Sequence, residues 1–231
     1  MKISIGAMLV TLCAVSAIAS AKSAYDKPPP GAIVQDVPAR MSASSATPWH
    51  AIASRELAGK QMGKESAYQW YLSIYAPREN GLKQVYRLPD MSGILLTRVV
   101  KARGAQMYFP AQQLKITGAA PLRQPGVEEL IAWSHQTGAD CGTASVAVFG
   151  AGPNERVIPE AVVTNSCDLS AEIVRGTQLA SIRLTGPYYA VNAPLCCPTK
   201  PHATAFLSFT GGKWSVKPDY FRISIPPAPR R

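Results

Sequence analysis

The stretch TAFLSFTGGKWSVK, residues 204–217, decides the fold class of this chain. Two short runs that alternate apolar and polar side chains flank Gly211 and Gly212. Two glycines in a row allow the positive φ angles that a tight hairpin turn requires. The stretch therefore predicts two antiparallel strands joined by a two-residue turn.

Similar short runs continue toward the N-terminus. Residues 68–76 alternate in the same way, and Asn80-Gly81 then precedes a run at 82–88, which predicts a second hairpin. Residues 127–136 suit a buried strand or a short helix, and we favour the strand. With 20 prolines, 17 glycines and 16% charged residues in 231, long helices and coiled coils are disfavoured. We expect a mainly β protein of small antiparallel sheets, arranged as a sandwich or barrel.

One short helix is expected in the first half of the chain. Thr47-Pro48 offers an N-cap followed by proline at the first helical position. Trp49, Ile52 and Leu57 then recur near helical spacing. Trp49 itself is expected to pack beneath the following sheet rather than to bind a ligand.

The first 21 residues predict the compartment. Lys2 is followed by a largely apolar run, and Ala19-Ser20-Ala21 supplies small residues at the positions that a signal peptidase reads. We expect cleavage near Ala21 and export to the periplasm or cell envelope. A buried N-terminal helix and a membrane anchor are the alternatives, but the run is short for a membrane span.

Three further segments follow the predicted signal peptide, which occupies residues 1–21. Residues 22–48 are rich in proline and serine and carry little apolar surface to bury, which predicts a linker or an arm. Residues 49–120 predict a small β subdomain, and residues 121–231 a disulfide-bridged β domain.

Cysteine usage supports export. Loss of the signal peptide would remove Cys13 and leave four cysteines, all in the second half of the chain. In an oxidising compartment this even number predicts two disulfides. We favour different partners for the adjacent Cys196 and Cys197 over a 141–167 bond beside a vicinal bond, because a vicinal ring is strained. A metal site is not expected, since no Cys-x-x-Cys pair is present. The predicted bridges use Cys141, Cys167, Cys196 and Cys197.

The region of these cysteines resembles a known family. Gly186-Pro187-Tyr188-Tyr189, then 193–199 with its Cys196-Cys197 turn and the hairpin at 206–214, resembles the LppP/LprE-type lipoproteins of bacterial envelopes. The similarity covers about residues 125–225 and implies an exported envelope domain without an agreed chemistry. Asn192-Ala193 stands where the resemblance leads us to expect an acidic residue, and the lipid-attachment cysteine is missing, so anchoring does not follow.

No catalytic motif is found in the sequence. The three imidazoles, His50, His135 and His202, stand outside any recognisable catalytic pattern. Glu128 and Glu129 form the only adjacent pair of carboxylates, and neighbours on a strand face opposite ways, which does not suit shared acid–base work. We expect no catalytic residue, no cofactor and no bound metal.

The candidate binding residues are aromatic and basic. Aromatic side chains on the strand predicted at 68–76 could stack on a sugar, although such faces more often pack in a core or at an edge. The net charge of +10 can attract anionic lipid, polysaccharide or an acidic partner, with a solvated surface as the alternative, and export argues against nucleic acid. The candidates are Tyr68, Trp70, Tyr75, Arg98, Lys101 and Arg103.

The sequence therefore predicts a non-catalytic exported envelope protein. We expect an accessory subunit or binding module of a periplasmic or membrane-associated complex. Its partner would be an envelope protein complex or a cell-wall component, and peripheral association with the membrane is compatible with the charge. The alternatives are a ligand- or glycan-binding protein or inhibitor and, third, an unrecognised hydrolase.

Overall fold

The computed structural model describes residues 25–60, 66–88, 100–102, 105–107, 113–136, 142–190 and 198–226. These residues form fifteen β-strands and one short 3-10 turn at Pro153–Glu155. The strands are β1 Ala32–Ala39, β2 Trp49–Lys60, β3 Ser66–Arg78, β4 Gly81–Leu88, β5 Val100–Ala102, β6 Ala105–Met107, β7 Gln113–Gln124, β8 Val127–Gln136, β9 Thr143–Ala151, β10 Val157–Ser166, β11 Ser170–Arg175, β12 Ala180–Tyr188, β13 Lys200–Thr210, β14 Lys213–Lys217 and β15 Arg222–Ser224.

Three antiparallel sheets carry the fold, which confirms the prediction of a mainly β protein with small antiparallel sheets. The first sheet has the order β1-β2-β3-β4, the central sheet the order β15-β10-β9-β8-β7, and the third sheet the order β11-β12-β13-β14. Strands β5 and β6 form a separate two-stranded ribbon. Most neighbours in a sheet are also neighbours in the chain. Strand β15 is the exception, since it returns to pair with β10.

The central sheet is buried on both faces. One face packs on the first sheet and forms the first core, which includes Trp49, Leu72, Leu130 and Phe149. The opposite face packs on the third sheet and forms the second core. A strand between two cores has no polar side, and the continuous run of buried residues along β9 follows from this position. The second core includes Leu122, Ile131, Val148, Ile182 and Leu207.

Side-chain hydrogen bonds tie the first sheet to the central one. The amide of Gln35 on β1 accepts a hydrogen bond from the backbone N–H of Ile116 at 2.7 Å and donates to its carbonyl oxygen at 3.3 Å. Ile116 lies on β7, the edge strand of the central sheet, so a side chain occupies backbone groups that an edge leaves unpaired. Glu128 adds a second link by accepting a hydrogen bond from Arg40 N at 2.7 Å.

The predicted hairpins are confirmed. Strands β13 and β14 pair across Gly211 and Gly212, whose φ angles are +59° and +78°. Strands β3 and β4 pair with Arg78 opposite Gly81, which leaves a two-residue turn. Residues 127–136 form strand β8, as favoured above.

The predicted short helix beginning at Trp49 is wrong. These residues form β2, in which the side chains of residues 51–54 are buried on both faces of the strand. A run that is apolar on both faces does not distinguish helix from strand, so the apparent helical spacing was coincidental. Pro48 instead favours extended backbone at Thr47, before the strand begins.

The observed strands can be compared with the predicted segments 22–48 and 49–120. Residues 32–39 of the predicted linker form β1 and belong to the first sheet. The predicted division at residue 120 falls inside β7. The predicted signal peptide lies outside the described residues. Among the described residues, no helix has the length and the apolar character needed to cross a membrane.

Candidate functional site

A buried cluster of charged side chains lies where the central sheet meets the third sheet. Arg123 on β7 bridges two carboxylates: its Nε lies 2.7 Å from Glu129 Oε1, and its Nη1 lies 2.7 Å from Glu160 Oε1. The Glu129 side chain is fully buried and that of Glu160 is 7% exposed, whereas 27% of the Arg123 side chain reaches solvent. We call Arg123, Glu129 and Glu160 the charge cluster.

Backbone irregularity gives the charge cluster its shape. The pairing of β7 with β8 shifts register between Ala120 and Gln124, and the displaced backbone N–H of Leu122 donates to Glu129 Oε2 at 2.8 Å. The second oxygen of Glu129 is therefore satisfied by the strand that carries Arg123. A buried carboxylate needs such partners, because leaving it unpaired is costly.

Gly150 on β9 gives the charge cluster room. A Cβ added at this position would overlap Glu160 Oε1 and come within 2.9 Å of Arg123 Nη2. The close approach of these side chains to the backbone therefore requires glycine, although glycine weakens a strand.

Burial sets the protonation of Glu160. Loss of water around this carboxyl raises its pKa to about 7, and the charge of Glu129 acts in the same direction. Arg123 and the indole of Trp214 on β14 favour the ionised form and limit the rise. Glu160 therefore changes charge near neutral pH.

The raised pKa makes stability depend on pH. The folded protein holds the Glu160 proton up to about pH 7, while the unfolded chain releases it near the ordinary value of 4.5. Binding of this proton therefore stabilises the folded state by about 3 kcal/mol below pH 4.5, and this stabilisation is lost as pH rises to 7. Urea unfolding of the wild type and Glu160→Gln across this range measures it, and the advantage of the variant should grow with pH. A constant difference between the two proteins would contradict the assignment.

The chemistry open to the charge cluster is limited by access. A general acid or base must reach the proton that it transfers, and both carboxylates are almost entirely covered and are already ion-paired with Arg123. The arrangement therefore suits a structural cross-link between β7, β8 and β10 better than a reacting centre. The predicted opposite orientation of the neighbouring Glu128 is seen, since it bonds Arg40 instead.

A cavity lies beside the connection between β1 and β2, and its lining includes Gln124, the residue that follows Arg123 in the chain. It has a volume of about 260 Å³ and is lined by residues 41–44, by Trp49, by the β7–β8 turn and by the turn that follows β9. Trp49 has no exposed surface, and its indole N–H has no hydrogen-bond acceptor among the described residues. Buried indole N–H groups normally have a partner, so the Trp49 N–H is an exception to this rule.

The three predicted aromatic residues do not form one exposed surface. Tyr68 and Trp70 share a face, and the guanidinium carbon of Arg55 lies 4.3 Å from the ring centre of Tyr68 and 5.6 Å from that of Trp70. Tyr75 is five residues from Trp70 and faces the other way. Its hydroxyl donates to Lys27 O at 2.9 Å. Trp70 and Tyr75 are both buried, so a stacking surface made of all three residues is not present.

The predicted basic and cysteine residues are only partly described. Arg98 and Arg103 lie outside the described residues, and so do Cys141, Cys196 and Cys197. Lys101 is described only as backbone, in β5. The role of these basic residues and the disulfide pairing therefore stay predictions.

The histidines do not form a catalytic group with one another. His50 Nδ1 lies 2.9 Å from Asp36 Oδ1 at the surface, His135 Nε2 lies 3.1 Å from the carbonyl oxygen of Cys167, and His202 is exposed. Across the described ranges, no group of three or more His, Cys, Asp or Glu side chains is placed to hold a metal ion.

Sequence reasoning missed the charge cluster and the unpaired indole N–H of Trp49. Glu129 interrupts the inward-facing apolar positions of β8, and such an interruption is the one signal of a buried ion pair that the sequence offers. Its partners lie at distant positions that only the fold brings together. Trp49 was expected to be buried, and it is; the missing acceptor for its N–H cannot be read from sequence.

Comparison with known proteins adds no relative: the chain matches no family model, no curated protein and no solved structure.

Proposed function

We propose that this chain is an exported, non-catalytic binding protein of the cell envelope. One observation supports the binding role above others: the cavity of about 260 Å³ beside the connection between β1 and β2 is lined by several polar side chains, namely Ser42, Ser44, Gln124 and Asn154. The signal-like segment at 1–21 and the resemblance of about residues 125–225 to LppP/LprE-type proteins support the location.

Absence of a catalytic role is proposed from the surroundings of the acidic and imidazole groups. The two buried carboxylates are paired with Arg123, and His135 bonds a backbone carbonyl oxygen. His50 is paired with Asp36, but among the described residues no serine, threonine or cysteine is hydrogen-bonded to it. Nucleophilic catalysis requires a nucleophile, a base and an orienting group in contact. A binding role requires only the cavity and its rim.

The proposal is tested by location and by ligand recovery. Fractionation of the native cell should place the protein in the envelope fraction, with a mass that corresponds to a chain beginning at Lys22. The low-molecular-mass part of an envelope extract should raise the melting temperature of the purified protein, and a matched cytosolic extract should not. A full-length protein in the cytosol, or no shift with either extract, would overturn the proposal.

A second candidate, the accessory subunit, rests on exposed apolar residues. Ile33 and Val34 on edge strand β1 are 49% and 45% exposed, and Leu57 on β2 is 67% exposed. An edge strand with apolar side chains can pair with a strand of another protein. Native mass spectrometry after mild detergent extraction should show a co-purifying chain that Ile33→Lys releases. A lone monomer from wild-type membranes would contradict this candidate.

We also propose two disulfide bonds in the second half of the chain. Cys167 N donates to the carbonyl oxygen of Gly142, the residue after Cys141, at 3.1 Å. Cys167 Sγ lies 3.1 Å from Tyr189 Oη. Ala190 N donates to Thr199 Oγ1 at 3.0 Å, so both ends of the segment that carries Cys196 and Cys197 lie together. The described neighbours of all four cysteines thus meet at one place, which supports pairing among them.

A further inference from the structure

We infer that the outer face of the third sheet binds an anionic polysaccharide, with the ring of Phe206 at the centre of the site. The outer face consists of the side chains of β11–β14 that point away from the second core. It shares no residue with the cavity of the proposed function. Each of the two sites can therefore fail its test while the other stands.

The alternation of side chains along β13 exposes the ring of Phe206. Ala203, Ala205 and Leu207 are buried in the second core, so Thr204 and Phe206 between them point to the opposite side of the sheet. Phe206 is 41% exposed and belongs to neither core. Its ring is therefore open to a ligand, in contrast to the buried aromatic residues of β3.

The registers of the strands place cations on both sides of this ring. Phe206 lies opposite Arg183 on β12 and opposite Lys217 on β14. Neighbouring strands are about 4.8 Å apart, so both side chains stand next to the ring. Arg183 is paired with Glu172 on β11. Lys217 and Lys213 are exposed, and neither forms an ion pair with another residue that the structure describes.

Charge complementarity selects an anionic ligand. Glu172 is the one acidic residue in β11–β14, and Arg183 already neutralises it. The lysines of β14 therefore leave the outer face positive. A single ion pair at a surface contributes little. A polymer that repeats its acidic groups can engage several cations at once, and its second contact forms at a high effective concentration.

Hydroxyl groups surround the ring and favour a sugar. Ser170, Thr185 and Thr204 form one row across three strands, and Ser208 lies opposite Ser215 in another. Hydroxyls both donate and accept hydrogen bonds, as the hydroxyls of a sugar do. The negative face of an aromatic ring attracts the positively polarised C–H groups of a sugar ring. The outer face therefore offers a stacking surface, hydrogen-bonding groups and cations to one polymer.

Two other anionic partners fit the outer face less well. Proteins that bind single-stranded nucleic acids stack successive bases on several aromatic side chains, and the alternation of β13 presents one ring. Binding at a membrane surface buries a continuous apolar face in the lipid, whereas the neighbours of Phe206 in its row are charged and those in the next row are hydroxyl residues.

Equilibrium binding of the purified protein to polygalacturonate, a polymer of uronic acid, tests the inference. Phe206→Ala should weaken binding about fivefold, and Lys217→Gln about threefold. The matched controls replace exposed side chains of the first sheet: Leu57→Ala on β2 and Lys83→Gln on β4 should bind as the wild type does. Added salt should weaken the binding of the wild type.

The variants also separate a specific site from general attraction by the positive protein. Equal binding by Phe206→Ala, Lys217→Gln and the two controls would show that net charge alone holds the polymer, and would overturn the inference. Equally tight binding to neutral dextran would overturn the anionic class. Tighter binding to oligothymidylate, or to vesicles of phosphatidylglycerol, that the same two substitutions weaken would assign the outer face to nucleic acid or to the membrane instead.

Folding of the variants is checked by melting temperature. The substituted side chains are exposed, so each variant should melt as the wild type does. If Phe206→Ala melts at a lower temperature, Phe206→Thr, which keeps a residue suited to strands, should show the same loss of binding with the fold intact. Wild-type affinity in Phe206→Thr would overturn the inference.

Discussion

Replacing Arg123 by methionine is expected to lower the free energy of unfolding by about 3 to 5 kcal/mol at about pH 8. The change leaves Glu129 and Glu160 buried side by side without their shared cation, while methionine keeps much of the arginine volume. Breaking a buried ion pair costs this much because the remaining charge has lost both its water and its partner. Urea unfolding followed by tryptophan fluorescence measures the loss.

Two comparisons separate charge from packing in this experiment. The loss should shrink at about pH 5, where Glu160 holds its proton, and Glu160→Gln should rescue part of the Arg123→Met loss at about pH 8. The control Arg183→Met breaks an exposed ion pair with Glu172 and should cost at most about 1 kcal/mol. An equal loss for Arg123→Met at both pH values would mean that packing, and not charge, accounts for it.

Reduction of the proposed disulfides is expected to have an effect of similar or larger size. If Cys141 and Cys167 each bond one of the adjacent cysteines, two long loops are closed, and each stabilises the fold by about 3 to 4 kcal/mol. Complete reduction should then cost about 6 to 8 kcal/mol. With a 141–167 bond beside a vicinal bond, the cost should be about half, because a vicinal ring closes almost no loop.

Unfolding by urea with and without a phosphine reductant measures the cost of reduction. Peptide mapping under non-reducing conditions identifies the pairs, and the single variant Cys167→Ala should remove one bridge. The same unfolding midpoint in oxidised and reduced protein would show that neither long loop is closed by a disulfide.

Local sequence predicted the parts of the fold that turns determine. Gly211 and Gly212 specify a hairpin by themselves, because few other residues adopt the required φ angles. The helix prediction for residues 49–57 was wrong because β2 is buried on both faces. A strand in that position lacks the alternation of apolar and polar residues that identifies strands. The stacking of three sheets depends on contacts between distant strands, which no short segment encodes.

The sites were harder to predict than the strands. Arg123, Glu129 and Glu160 meet only after β7, β8 and β10 have paired, and the cavity forms where three separate connections come together. The aromatic pattern of β3 was real, but it reflects packing: Trp70 belongs to the first core and Tyr75 is buried on the other face. A pattern of residue types shows which side chains can bind a ligand, and the fold determines which of them a ligand can reach.

Strand β15 makes the order of synthesis matter. It pairs with β10 over residues 162–164 and 222–224, so the outer edge of β10 lacks this partner until residues 222–224, about 60 positions later in the chain, have been made. An open edge of this kind is a template for strands of other molecules. Strand β15 therefore acts as a built-in protecting strand, and a product that ends before residue 222 exposes the central sheet to aggregation.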